Sequence, residues 1–403
     1  MRNQRQAAPS IRFKGFTEDW EQRKFSSLYE KGGSGGTPKS TNKSYYIGDI
    51  PFLGISDVSS SNGYVYDTEK HISEEGLKNS SAWIVPKEAI SLAMYASVGK
   101  VAILKTDAAT SQAFFNMIFK NLPTRNFVFQ YLLKMESTHG WDSLVSTGTQ
   151  PNLNAQKIRE IEILIPALDE QTKIGAFFKQ LDTTITLQQQ QLSNYKEMKA
   201  ALLQKMFPKA GEKMPEVRFE GFTGEWEERK LGDVIGEYSD KDNSKLNPAV
   251  AVGKYGIRRR EDIYKKALSK DISKNKVIRK NTLTIGMGSK QIDIGILKTD
   301  EVFSVSPAYS TFNIIDVDAR YLDLFLQHEN KNLSKVCMII SARQGKTVDK
   351  NLLVQYNVLL PSIPEQQKIA DFLFILDGQI EAQKAAFDAL NRLKQGLLQQ
   401  MFV

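Results

Sequence analysis

Two long stretches of the chain carry the same seam of apolar positions at alternating spacings of four and three. In the first, Ile174, Phe178, Leu181, Ile185, Gln188, Leu192, Tyr195, Lys199, Leu202 and Met206 follow one another in that rhythm. In the second the series is Ile369, Leu373, Leu376, Ile380, Gln383, Phe387, Leu390, Lys394, Leu397 and Met401. Such alternation lines one stripe of a helix and marks a coiled-coil seam. Neither 170–207 nor 365–402 contains a proline, so each 38-residue stretch predicts one unbroken helix, about 57 Å long at ~1.5 Å per residue. Even the polar interruptions match, Gln188 with Gln383 and Lys199 with Lys394. Polar seam residues cost stability but fix register and orientation.

Ahead of each helix lies a run of short, alternating apolar segments that predicts strands. AISLAM (89–94), KVAILK (100–105) and FFNMIF (114–119) stand in the first half; TLTIGM (282–287), IDIGIL (292–297) and TFNII (311–315) answer them in the second. Both halves contain ILKTD, at 103–107 and 296–300. A helical segment follows in each (FVFQYLLKME, RYLDLFLQHE), then a polar glycine-containing loop and a last apolar run ending at Pro166 or Pro361. Interleaved strands and helices with many turns predict α+β domains.

The ends of the two halves repeat almost residue for residue. PSIRFKGFTEDWEQR (9–23) matches PEVRFEGFTGEWEER (215–229), IPALDEQTKI (165–174) matches LPSIPEQQKI (360–369), and LLQKMF (202–207) matches LLQQMF (397–402). The chain is therefore a duplication, with a first domain over 1–168, a helical region over 169–208, a second domain over 209–363 and a second helical region over 364–403. Trp20 and Trp226 open their units at equivalent positions, which points to packing. Two copies related by an approximate twofold axis pair their helices antiparallel, with a domain at each end of the helical spacer. Duplex DNA shares such local symmetry, and twofold proteins read separated half-sites. Since the two domain interiors differ in sequence, the expected target is bipartite and asymmetric.

Composition narrows the class. A chain of 403 residues, 41% apolar, has material for two domain cores. No run of eighteen apolar residues predicts a membrane span, and no apolar stretch follows the basic start as in a secretory signal. The single cysteine, Cys337, predicts a core filler and fits a reducing cytoplasm. Net charge is +8, and 254–280 alone holds eleven Lys/Arg against three Asp/Glu. A local basic surplus is the electrostatic footprint of a polyanion site, although a solvated face carries the same composition.

The RFxGFxxxWExRK openings, the PxxxEQxKI junctions and the terminal LLQxMF motifs resemble the DNA specificity subunit of type I restriction–modification systems, over nearly the whole chain. The resemblance implies two target-recognition domains, each reading one half of a double-stranded DNA site, with paired helices setting the gap. It also implies docking of two methyltransferase (modification) subunits that methylate adenine N6, and of two restriction subunits. S-adenosylmethionine, ATP and Mg are then expected on those partners, with no cofactor on this chain. KGGSGGTPKS (31–40) and STGTQPNLN (146–154) look like loops of that family's recognition domains; SARQGKTVDKN (341–351) departs from the second form. Ile174, Phe178, Leu181, Ile185, Leu192, Leu202, Ile369, Leu373, Leu376, Ile380, Phe387 and Leu397 form the expected coiled-coil and partner interface.

Arg and Lys suit guanine, Asn and Gln suit adenine, and hydroxyls are permissive. The candidate DNA-binding residues of the first half are Lys31, Thr37 and Lys39 in the glycine-rich segment, Tyr95, Ser97 and Lys100 around the SVGK turn, and Thr149, Gln150, Asn152 and Asn154 in the polar loop. In the second they are Lys254, Lys290, Gln291, Arg343, Gln344 and Lys346, with Arg258, Arg259 and Arg260 assigned to phosphate anchoring.

No catalytic pattern emerges. His71, His139 and His328 lie far apart without cysteine pairs, so zinc-ligand spacing is absent. GSGGTPKS places Pro38 where a phosphate-binding loop needs glycine. The sequence therefore describes a cytoplasmic, non-catalytic reader that relies on partner subunits. A self-contained nuclease or methyltransferase with an unrecognised centre, and a non-specific coiled-coil adaptor, remain the alternatives.

Overall fold

The computed structural model describes residues 8–145, 152–242, 246–253, 256–263, 274–341 and 345–403. The chain forms two compact units, Met1–Gln191 with Gln383–Val403, and Leu192–Ala382. Each unit contains one α+β domain, part of the long helix Leu168–Met206 and part of the long helix Ile363–Gln400. The repeat suggested divisions at the helix ends; the compact units instead cut each helix near its middle.

Among the described residues the first domain holds a five-stranded and a four-stranded sheet, with a helix packed beside them and a two-stranded ladder besides. One sheet runs in the order Lys31–Ser34, Phe114–Ile118, Ile90–Ala93, Val101–Leu104 and Tyr64–Val65. The other runs Lys70–Ile72, Ile50–Leu53, Ala108–Thr110 and Ile84–Val85. The strands Ile90–Ala93 and Val101–Leu104 are buried along their whole length, which explains their unbroken apolar sequence. In the second domain one sheet runs Ile235–Tyr238, Ser310–Ile314, Leu283–Met287 and Ile292–Ile296. Its second sheet runs Gly256–Arg259, Ala249–Gly253, Phe303–Val305 and Lys276–Ile278. The domain helices are Leu122–Ser137, capped by Asn121, and Ala319–Cys337, capped by Asp318.

The repeated end motifs brace each domain to its helix. In the first unit the Arg12 guanidinium donates to both oxygens of buried Glu170, at 2.7 and 2.8 Å. Arg218 grips Glu365 in the second unit at the same two distances. The neighbouring glutamines, Gln171 and Gln366, donate to the carbonyls of Pro166 and Pro361 at 2.7 and 2.8 Å. The strand after each tryptophan pairs antiparallel with the strand before each junction, Glu21–Lys24 with Glu162–Ile165 and Glu227–Lys230 with Asn357–Leu360. Phe13 meets Phe177 edge-on at 5.8 Å, as Phe219 meets Phe372 at 5.7 Å. Buried charges held by two-pronged hydrogen bonds fix orientation as well as contact.

The LLQxMF signatures plug the domain cores. Phe402, at the end of the second long helix, lies among Trp20, Phe127 and Phe178, with ring centroids 6.4, 5.0 and 6.0 Å away. Phe207, just past the first long helix, lies among Trp226, Tyr321 and Phe325 at 6.3, 5.8 and 6.0 Å. Both tryptophans are buried packing residues, as their positions in the repeat suggested.

The long helices pair antiparallel. In the first unit Lys394 meets Asp182 at 2.6 Å while Phe402 meets Phe178, so one helix ascends as the other descends. In the second unit Lys199 meets Asp377, and Leu192, Leu376 and Ile380 form a buried cluster with Tyr195 and Leu202. The two seam lysines thus have partners that the periodicity did not disclose, since each aspartate directly follows a seam leucine. Ile174 and Phe178 enter the first core, with Leu181 and Leu397 against it; Ile369 and Leu373 enter the second, with Leu202 against it. Ile185 and Phe387 are half-buried. The Oε1 atoms of Gln188 and Gln383 are buried without a hydrogen-bond partner, so the seam glutamines carry a stability cost.

Phe402→Ala should destabilise the first unit by about 3–5 kcal/mol, the usual loss for a buried phenylalanine, with Phe207→Ala doing the same to the second; calorimetric transitions assigned by unit-specific probes check this. His328 stacks on Phe207 at 5.1 Å, and burial holds its imidazole below the ordinary value of 6.5 despite Glu329. The unfolded chain therefore protonates first, and stability is present above that value and lost as pH falls through the folded one. His328→Tyr, which installs the residue found at Tyr131 in the first unit, should flatten this dependence in melts between about pH 7.5 and 5.5.

Candidate nucleic-acid interface

In the first unit a tight turn joins Ile90–Ala93 to Val101–Leu104 and carries Tyr95 and Ser97 into solvent. Ala96, Ser97 and Gly99 all have positive φ, at 38°, 58° and 89°. Gly99 packs so closely on Trp141 that a Cβ there would lie 2.4 Å from the ring. The turn is anchored on both sides of Met94. Leu153 N donates to Met94 O at 2.9 Å, which brings Asn152 and Asn154 alongside, and Met94 N donates to Ala113 O at 2.7 Å. Asn154 commits its amide oxygen to Gln156 N at 2.7 Å, capping the short helix Ala155–Glu160.

The glycine-rich segment is held against the same edge. Gly36 N donates to Thr110 O at 2.9 Å, and a Cβ on Gly35 would lie 1.9 Å from that oxygen. The close crossing explains why glycine occupies this position. Thr37 Oγ1 then donates to the side chain of Gln112 at 2.5 Å. Lys31 holds its ammonium 4.3 Å above the ring of Trp83, and Lys39 is exposed. The structure therefore brings Thr37, Tyr95, Ser97, Asn152 and Asn154 to the surroundings of Met94, together with Gln112. No spacing in SQAFF distinguishes Gln112; only its hydrogen bond from Thr37 does. Lys100 turns elsewhere. Its Nζ pairs with Glu136 at 2.5 Å beside a cleft of about 230 Å³ that Asp182 and Lys394 also line.

The second unit repeats the juxtaposition with other residues. The turn between Leu283–Met287 and Ile292–Ile296 exposes Lys290 and Gln291. Lys346, on the strand Gly345–Val348, donates to Ser289 O at 3.3 Å and brings the hairpin with Met338–Ser341 to that turn. Arg258 is exposed on Gly256–Arg259, and Arg260 is half-buried at the start of the helix Arg260–Ile263. Arg259 is already answered, by Glu301 at 2.9 Å and Glu261 at 3.7 Å, with its guanidinium over Phe303. Arg279 pairs with Asp240 and Lys280 with Asp300, each at 2.9 Å. Acids from outside 254–280 thus neutralise part of that segment's surplus. Thr149, Gln150, Lys254, Arg343 and Gln344 lie outside the described residues.

The long helices also leave apolar side chains in solvent. Phe177 and Phe372, 37% and 38% exposed, occupy equivalent places in the repeat, as do Met198 and Leu393 at 43% and 52%. None belongs to the seam, which is why the periodicity passed over them. Cys337 is buried as expected, and burial pushes its thiol up to about 11. Among the described residues no group of three or more His, Cys, Asp and Glu side chains converges as metal ligands would. No helix there is long and apolar enough to cross a membrane.

Comparison with known proteins identifies the family. The family model for the type I restriction modification DNA specificity domain matches residues 17–195 and again 223–392. The chain belongs to that family. The specificity subunit of the type I restriction enzyme MjaIX of Methanocaldococcus jannaschii is 29% identical over 236 residues, covering 54% of this chain and 52% of that one. The HindI specificity subunit of Haemophilus influenzae is 27% identical over 172 residues, 41% of this chain and 37% of that one. The matches thus span about half the length of these curated relatives or less. The crystal structure of the type I restriction–modification S subunit from M. genitalium shares the fold over 98% of this chain and 99% of that one, with a TM-score of 0.63 at 14% identity. A chain from a study of assembly and conformational transition in a type I system gives 0.54 at 17% identity, covering 95% and 97%.

Lys346 has its charge unanswered by any carboxylate among the described residues, whereas Arg259 has two. Lys346→Ala should therefore flatten the log–log salt dependence of DNA binding by about one unit, and Arg259→Ala by clearly less. Titrations at several salt concentrations decide between these outcomes.

Proposed function

We propose that the chain is a non-catalytic, sequence-specific DNA reader that recognises an asymmetric bipartite duplex site and directs adenine-N6 methylation and restriction by partner subunits. One observation carries the reading. Each unit presents the turn between two central strands beside the polar loop that precedes its last strand, and the two surfaces carry different side chains. One scaffold used twice with different exposed residues suits two unlike half-sites.

The partners in this reading are two methyltransferase subunits and two restriction subunits. The matched pairs Phe177 with Phe372 and Met198 with Leu393 support two copies of one docking partner, because equivalent exposed apolar positions recur in each unit. S-adenosylmethionine, ATP and Mg belong to those partners, and the complex works in the cytoplasm.

Mapping N6-methyladenine across the source genome, with and without this gene, tests the proposal. Deletion should abolish methylation at one bipartite motif and leave every other motif intact. An unchanged methylome in a strain that carries the partner genes would contradict it.

A further inference from the structure

We infer that Asp293 is a base-reading residue of the second unit and accepts a hydrogen bond from the N4 amino group of a cytosine in the major groove. The inference rests on the DNA-reading function proposed above. Asp293 is the second residue of the strand Ile292–Ile296, immediately after the turn that exposes Lys290 and Gln291. Ile292 and Ile294 on either side are both 1% exposed and face the core, so strand alternation turns Asp293 to the other face. There its carboxylate lies against the turn itself. A Cβ on Gly288 would stand 2.6 Å from Asp293 Oδ1.

Among the described residues the carboxylate has no structural partner at that position. It is half-buried, and burial raises its pKa above the ordinary carboxylate value. Among the described residues no hydrogen bond or ion pair engages it. The first unit handles the equivalent position differently. The shared ILKTD runs at 103–107 and 296–300 put Asp293 in register with Lys100, whose charge is met by Glu136 on the domain helix. Aligning the helix caps Asn121 and Asp318 places buried Leu333 where Glu136 stands. A charged group is thus retained in the second unit without the partner that would make it structural.

A carboxylate beside DNA is repelled by the phosphates, so it favours binding only by taking a hydrogen from the ligand. The major groove offers two such donors, cytosine N4 and adenine N6. Adenine sets its N7 acceptor beside N6, which a carboxylate would oppose, whereas cytosine presents only a C–H there. Cytosine is therefore the base selected.

The full chain should be selected against a pool of randomised duplexes as wild type, Asp293→Ala and Asp293→Val, which remove the acceptor, with melting curves showing that each variant folds. The wild type should enrich one bipartite site with a cytosine at a defined position of one half. Both variants should lose discrimination at that position by about tenfold, the scale of one lost base contact, and keep every other position. A folded variant that enriches the wild-type site unchanged, or that weakens all positions equally, overturns the inference. No enriched site with the wild type would instead overturn the DNA-reading proposal and the inference together.

Discussion

Each domain core is closed by a phenylalanine delivered at the end of a long helix, Phe402 in the first unit and Phe207 in the second. The rest of the structure depends on that insertion. It forces the end of one helix to arrive beside the start of the other, and so makes the pairing antiparallel. The Asp182–Lys394 and Lys199–Asp377 pairs then have only one register in which both form. The Arg12–Glu170 and Arg218–Glu365 braces fix the angle at which each helix leaves its domain. Glu170 and Glu365 are each 1% exposed, so these charges tolerate no loss of partner.

Much of this architecture was legible in the sequence. The 4–3 spacing gave both helices nearly to their ends, and the matched motifs gave the duplication. Their jobs were not legible, because the partners of each motif lie far away along the chain. Arg12 reaches Glu170 and Trp20 meets Phe402 across separations that no local pattern encodes. The signature LLQxMF was visible as a repeat, but that its phenylalanine plugs a core was not. Asp182 and Asp377 were hidden for the same reason, one step off the apolar stripe.

The candidate surface was visible in the sequence only as separate segments, which the fold brings together. Ser97 and Lys290 occupy equivalent turns, and the neighbouring loops supply Asn152 in one unit and Lys346 in the other. Charge alone misled more than pattern did. The basic segment 254–280 drew attention by composition, yet Arg259, Arg279 and Lys280 are paired with carboxylates from elsewhere. Lys100 is neutralised by Glu136. What separates the candidate cations is whether a carboxylate already answers their charge, as for Lys100 and Arg259, and a sequence does not display such partners.

In the proposed reading each unit reads its own half of one DNA site through its turn. A photoactivatable amino acid placed at Ser97 and, in a second preparation, at Lys290 tests it directly when the crosslinked bases are mapped on the bound duplex. Two separate crosslinked positions, one in each half of the site, are the predicted result. Crosslinks from both preparations to the same bases, or none from either in a complex that still binds, would contradict it.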